Sequence, residues 1–236
     1  EGIRVKGVLG HFFLAAHGID LNREEAVLND VRLSDARLQV LLADTADTPE
    51  DTVETALNWK IALHALKLKD ISVDLRLPAD SMSLSAHLAD AEVSNAFADL
   101  KRHDYGWNRF LLTGASMTYD AGSAGEAADT GFDPSHVILR EVRLGIDSVR
   151  YCGREMNAFI RECSMYERSG LSVTSLTGRL SADSATIRIP SLRLLTPHSE
   201  VDFEAQTYWE MIDEPSAGRV SARLNAHIGR RDVLLF

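Results

Sequence analysis

Hydrophobic and polar positions alternate with a period of two over long stretches of this chain. Residues 66–77 read Leu-Lys-Leu-Lys-Asp-Ile-Ser-Val-Asp-Leu-Arg-Leu, and residues 186–195 read Thr-Ile-Arg-Ile-Pro-Ser-Leu-Arg-Leu-Leu. Residues 220–228 read Val-Ser-Ala-Arg-Leu-Asn-Ala-His-Ile. Successive side chains of a strand point to opposite faces, so such runs predict strands with one apolar and one wet face. Many strands of this kind predict an open antiparallel sheet with one solvated side, because parallel sheets are buried on both faces.

A second regularity lies beneath the alternation. Leu33, Ala36, Leu38 and Val40 stand at offsets 0, 3, 5 and 7, and so do Leu68, Ile71, Val73 and Leu75. The same spacing recurs at Leu112, Ala115, Met117 and Tyr119, and at Leu139, Val142, Leu144 and Ile146. A step of three would throw the following residues onto the wrong face. One extra residue, a β-bulge, restores them, as would a short break between two strands. One local design used four times predicts an array of stacked units.

Turn residues punctuate the strands at 44–55, 78–81, 101–106, 120–134, 152–155, 167–170, 196–199 and 211–218. The segments 44–55 and 120–134 are acidic and read as surface loops. Pro190 lacks an amide hydrogen, so its strand is an edge or is bulged there. Helix signals are few: residues 52–57 could form a turn or two, and residues 156–166 are read as a strand. The expected fold class is therefore all-β, an elongated and strongly curved antiparallel sheet with little helix. Residues 1–236 form a single repeat-built domain.

Composition narrows the functions. The formal charge is −10, which removes the basic surface a nucleic-acid binder needs and argues against docking on anionic head groups. It leaves apolar lipid contacts open. No stretch reaches the roughly 18 apolar residues that span a bilayer, and residues 1–20 do not read as a secretory leader. The opening at Ile3 and Val5 reads as mid-strand, and the chain stops on Val233-Leu234-Leu235-Phe236, so an excised piece of a longer protein is expected. If Cys152-Gly153-Arg154-Glu155 turns a hairpin, Cys163 falls opposite a residue near Leu144. Free thiols are therefore expected, since a disulfide needs Cα atoms within about 7 Å.

Catalytic patterns are missing. There is no glycine-rich phosphate loop, H-E-x-x-H pair, G-x-S-x-G elbow or C-x-x-C. His11 and His17 are six residues apart, about 20 Å along a strand, and make a poor metal pair. His103-Asp104 reads as a polar turn. Nothing brings Cys163 to His136. Most carboxylates, such as Asp74, Asp147 and Asp183, occupy wet positions of alternating strands. No enzymatic turnover, metal or cofactor is expected.

What carries function is the apolar face. The offset pattern puts Leu33, Leu38, Leu68, Ile71, Val73, Leu75, Leu112, Met117, Leu139, Val142, Leu144 and Ile146 on one face, expected to be concave. Lys67, Lys69, Asp74, Arg76, Arg140, Arg143 and Asp147 then face water. Such a face is covered by another layer or meets a ligand. Residues alone leave both open: a sealed sandwich serving as a structural or adhesive scaffold, or a trough that takes lipid.

The run from Asp133 to Tyr151, together with residues 170–180, 189–200, 59–77 and 105–120, resembles the TamB-like (translocation and assembly) members of the AsmA superfamily found in Bacteroidetes. The likeness covers roughly residues 18–236 and lies in strand phrases, not a catalytic signature. It implies a β-taco, a strongly curved sheet with a hydrophobic groove. It further implies a protein anchored in the inner membrane that crosses the periplasm and carries phospholipid between membranes. Phospholipid acyl chains and, in some members, an outer-membrane β-barrel assembly protein are the implied partners. The anchor and the terminal region of such proteins are not in this sequence, so those implications rest on analogy.

Overall fold

The computed structural model of the chain describes residues 3–42, 58–77, 81–122, 131–213 and 219–235. The expected loop at 44–55 and the possible helical turn at 52–57 lie outside these residues, as do parts of the segments at 78–81, 120–134 and 211–218. Strand makes up 77 % and helix 4 %, which makes the chain all-β. The strands are β1 (Ile3–Val8), β2 (His11–Asp20), β3 (Glu25–Leu42), β4 (Lys60–Leu77), β5 (Met82–Asp99), β6 (Asp104–Ala121) and β7 (His136–Cys152). They continue with β8 (Glu155–Glu167), β9 (Ser172–Val173), β10 (Ser175–Ala182), β11 (Thr186–Leu195), β12 (Glu200–Tyr208) and β13 (Val220–His227). Two single-turn helices, α1 (Glu210–Asp213) and α2 (Arg230–Val233), complete the described elements.

All thirteen strands belong to one curved, unclosed sheet. Its path runs β1-β3-β4-β5-β6-β7-β8-β10-β11-β12-β13, with β2 extending the β1 edge along β3 and β9 lying beside β8. Neighbours pair antiparallel except β3 and β4, which run parallel. The exception departs from a purely antiparallel expectation. A parallel return needs a connection of about a dozen residues or more, and the chain between Leu42 and Lys60 supplies one. The parallel pair also sets two copies of the repeated motif side by side: Leu33 faces Leu68, Ala36 faces Ile71, Leu38 faces Val73, and Val40 faces Leu75.

The parity slip has a single backbone cause. The third residue of each motif copy, Asp35, Asp70, Gly114 and Glu141, has φ of 56°, 52°, 70° and 51°. A left-handed residue inside a strand turns the chain and returns the next side chain to the same face. Between β3 and β4 the partners stay matched on either side of Asp35 and Asp70, Ser34 with Lys69 and Ala36 with Ile71. Between β6 and β7 the register instead shifts as the expected bulge requires, with Thr113 and Gly114 against Arg143, and Arg140 and Glu141 against Ser116. In β3, β4, β6 and β7 these left-handed residues lie close to one level, Asp35 beside Asp70 and Gly114 near Glu141, and mark a corner line across the long strands. Gly10, between β1 and β2, joins this line; a Cβ there would lie 2.6 Å from the Asp35 Cβ.

A second line runs through Asn29, His64, Asn95, Asn108 and Ser148, with Asn95 at φ 50° and Ser148 at φ 56°. All five are exposed, as are Asp35, Asp70, Gly114 and Glu141. The outer side of a bend is the longer path and takes the extra residue. Exposure of the corner residues on the polar face therefore means that the sheet bends toward its apolar face at both lines. A true bulge occurs at Pro190, where Pro190 and Ser191 oppose Glu204 alone. β11 is internal, and the bulge accommodates the missing amide hydrogen. Cys152–Glu155 closes the β7–β8 hairpin, Cys163 pairs with Leu144, and both thiols are free.

Candidate functional site

The apolar positions of neighbouring strands meet in rows. One row crosses all eleven strand positions: Leu14, Val31, Leu66, Val93, Phe110, Ile146, Ile160, Gly178, Leu192, Phe203 and Leu224. At strand spacings of about 4.8 Å it extends for roughly 50 Å. Gly178 is not a gap in it: a Cβ there would lie 2.7 Å from the Leu192 Cδ1.

The twelve residues singled out from the repeated motif fall into parallel rows. Leu33, Leu68, Leu112 and Leu144 share one row, completed by Ala91 on β5. Leu38, Val73, Met117 and Leu139 share another through Ala86. Ile71 meets Ala36, Val142 meets Ala115, and Leu75 meets Val40 and Leu84. Ile146 belongs to the row that crosses the whole sheet. The β5 members Leu84, Ala86, Leu88 and Ala91 were missed, although their spacing is the same motif read backwards. β5 runs antiparallel to β4, so reversal is what pairing requires.

Among the described residues these side chains are shielded without a second layer. The extensive contacts of the sheet are all between hydrogen-bonded neighbours. Ile71 is 7 % exposed, Ala91 2 %, Leu112 9 % and Ala115 4 %, with Leu68, Leu88, Phe110, Val142 and Leu144 packed around the last three. Among the described residues no large side chain is completely buried. Curvature accounts for this state: a concave face shades its own side chains but does not remove them from solvent. Leu38, at 37 %, is the most open of the twelve, because only Gly7 stands opposite it on β1.

The opposite face is a lattice of ion pairs. Lys67 reaches Glu92 at 3.2 Å, and Arg150 reaches Asp104 at 3.0 Å. Asp147 lies between Arg109 at 3.5 Å and Arg161 at 3.6 Å, and Asp74 accepts a hydrogen bond from Ser85 at 2.8 Å. Lys69, Arg76, Arg140 and Arg143 are exposed, whereas Asp74 and Asp147 are half-buried beneath their partners. Solvent-exposed pairs of this kind contribute at most about 1 kcal/mol each.

The side chains considered for catalysis stay apart. Cys163 sits in the Leu144 row, where burial pushes its thiol up and so leaves little nucleophilic thiolate. His136 lies eight residues along β7 from Leu144, hydrogen-bonded through Nδ1 to Asp133 at 2.8 Å. Asp104 is occupied by Arg150, and its neighbour His103 contacts the Tyr105 hydroxyl at 3.4 Å. Among the described residues no group of three or more His, Cys, Asp or Glu side chains could hold a metal ion, and no helix is long and apolar enough to cross a membrane.

Three comparisons with known proteins found no family model, no curated protein and no solved structure that matches the chain.

Proposed function

We propose that this chain is a section of a hydrophobic conduit in the cell envelope, a trough along which phospholipid acyl chains pass between membranes. The observation that carries the reading is the unbroken apolar row from Leu14 to Leu224, lying on a bent face that no other layer of the described residues covers. Each methylene withdrawn from water is worth about 0.8 kcal/mol. A face of aliphatic and aromatic side chains with no charge in its central rows therefore holds an acyl chain without recognising its head group. Resemblance to the TamB-like proteins supports the same reading, including a periplasmic location, an inner-membrane anchor outside this sequence and an outer-membrane barrel partner.

The test is lipid content. The purified chain should carry phospholipid detectable by mass spectrometry after organic extraction. Val73→Asp or Leu144→Asp should abolish that lipid while the far-ultraviolet strand signal survives, because an uncovered trough tolerates a polar wall. A parent chain without lipid that also fails to take up a fluorescent fatty acid would defeat the conduit. Unfolding of both variants would favour the scaffold with a sealed core.

A further inference from the structure

Strands of this sheet contact their neighbours, but two places among the described residues bridge strands that are not neighbours. Both lie among the short strands β8–β13. At one rim, the Trp209 indole N–H donates to the Asp183 carbonyl at 2.7 Å and the ring lies under the Arg154 guanidinium at 5.6 Å. It thereby joins the end of β12 to the β10–β11 and β7–β8 turns. At the other rim, the chain leaving β13 turns back through α2 and crosses three successive connections.

This second crossing is closely fitted. Gly229 passes so near the β11–β12 turn that a Cβ would lie 2.2 Å from the His198 carbonyl oxygen. Its amide donates to the Ser199 hydroxyl at 3.0 Å. The hydroxyls of Thr196 and Ser199 both donate to the Asp232 carboxylate. Asp232 is 9 % exposed, one of three buried polar residues among those described. Beyond it, the Leu235 side chain lies 3.7 Å from the position of a Cβ on Gly170, and its carbonyl accepts the Phe132 amide ahead of β7. Eight residues thus tie β13 to β7, five strand positions away.

We propose that residues 228–235 are a releasable strap that sets how tightly the sheet curls from β7 to β13 in the short-stranded half of the trough, with Asp232 as the latch. The physical reason is that the free edge of a sheet has nothing to hold its curvature except the elements that span it. A strap fastened at Thr196–Ser199 and at Phe132 fixes the distance between β13 and β7. Its hold on the β11–β12 turn runs through one carboxylate and two hydroxyls, whose loss leaves the strand ladders untouched.

The experiment is a distance measurement. With Cys152 and Cys163 replaced by Ser, spin labels at Arg140→Cys on β7 and Asn225→Cys on β13 report the β7–β13 separation by pulsed dipolar spectroscopy. The parent should give one narrow distribution. Asp232→Ala should broaden it and lengthen its mean by about one strand spacing, roughly 5 Å, with Asp232→Asn intermediate. An unchanged distribution in Asp232→Ala overturns the strap. Should Asp232→Ala lose its strand signal, the pair Thr196→Val and Ser199→Ala removes the two hydrogen bonds to Asp232 from the turn side, together with that of the Gly229 amide to Ser199. It should widen the distribution equally, and no widening there also overturns the proposal. Release of a fluorescent fatty acid should be faster in the variants with the longer β7–β13 separation. That readout rests on the conduit reading, whereas the distance does not, so a longer β7–β13 separation with no bound fatty acid would count against the conduit alone.

Discussion

The long strands β3–β7 and the shorter strands β8–β13 belong to one sheet but are held by different means. The first group has strands of 17 or 18 residues, each crossing two corner lines, and contains the cluster around Ala91, Leu112 and Ala115. The second has strands of 2 to 13 residues. There the turns are fastened by carboxylates. Burial opposes ionisation of Glu167, but hydrogen bonds from Ser169, Ile138 and Arg168 outweigh it and hold its carboxyl below the ordinary range. Amides of Ala185 and Thr186 do the same for Asp183, and the hydroxyls of Ser199 and Thr196 for Asp232. A long strand that bends twice brings enough apolar surface together to shade itself. A short strand does not, and relies on satisfied turns and on ties across the rims.

The contrast can be broken most directly by truncation. Leu112→Ala should cost about 2–3 kcal/mol, the lower part of the usual range because the cavity opens to the trough. Leu224→Ala, at 64 % exposed, should stay within about 0.5 kcal/mol. Urea unfolding midpoints compare the two, and equal losses would remove the distinction between the halves.

The corners come next. Asp70→Val places a β-branched residue at φ 52° and should cost about 2 kcal/mol. Pro190→Ala, at the bulge in the other half, should stay within about 0.5 kcal/mol. A smaller gain is expected from Glu141→Gly. Relief of about 1–2 kcal/mol at a left-handed residue exceeds the roughly 1 kcal/mol that glycine loses in unfolded-chain entropy. The net rise should be about 0.5 kcal/mol, visible as a higher melting temperature. Gly114 already occupies the equivalent corner of β6.

Acid gives the mildest and most selective probe. Glu167, Asp183 and Asp232 have folded-state pKa values below their unfolded ones. Their contribution is complete above the unfolded pKa and is lost as pH falls through the folded one, which places the window below about pH 4. The charged groups near Asp232 are His198 on the facing turn and Arg230 and Arg231 on its own helix. Hydrogen exchange should show β8–β13 opening before β3–β7 as pH is lowered from 6 to 3, and Asp232→Asn should weaken the effect at residues 228–235. Simultaneous loss of protection in both halves would contradict the division.

The sequence alone determined that this is a strand protein with one apolar and one charged face, because alternation is a local property that pairing does not alter. It also located the corners: the left-handed residues Asp35, Asp70, Gly114 and Glu141 all lie inside the spacing of three between inward residues. Pro190 marked its own bulge, and the position of Cys163 opposite Leu144 followed from counting back from a tight turn. What stayed hidden was whatever depends on which strand lies beside which. The motif in β5 escaped because it runs backwards, and its direction matters only once β5 is paired with β4. The parallel contact of β3 with β4 and the return of residues 228–235 to Phe132 are long-range events without a local signature. Tertiary structure alone decided that the bends align. Aligned bends turn separate amphipathic strands into a continuous trough, because curvature accumulates only when every strand turns at the same level.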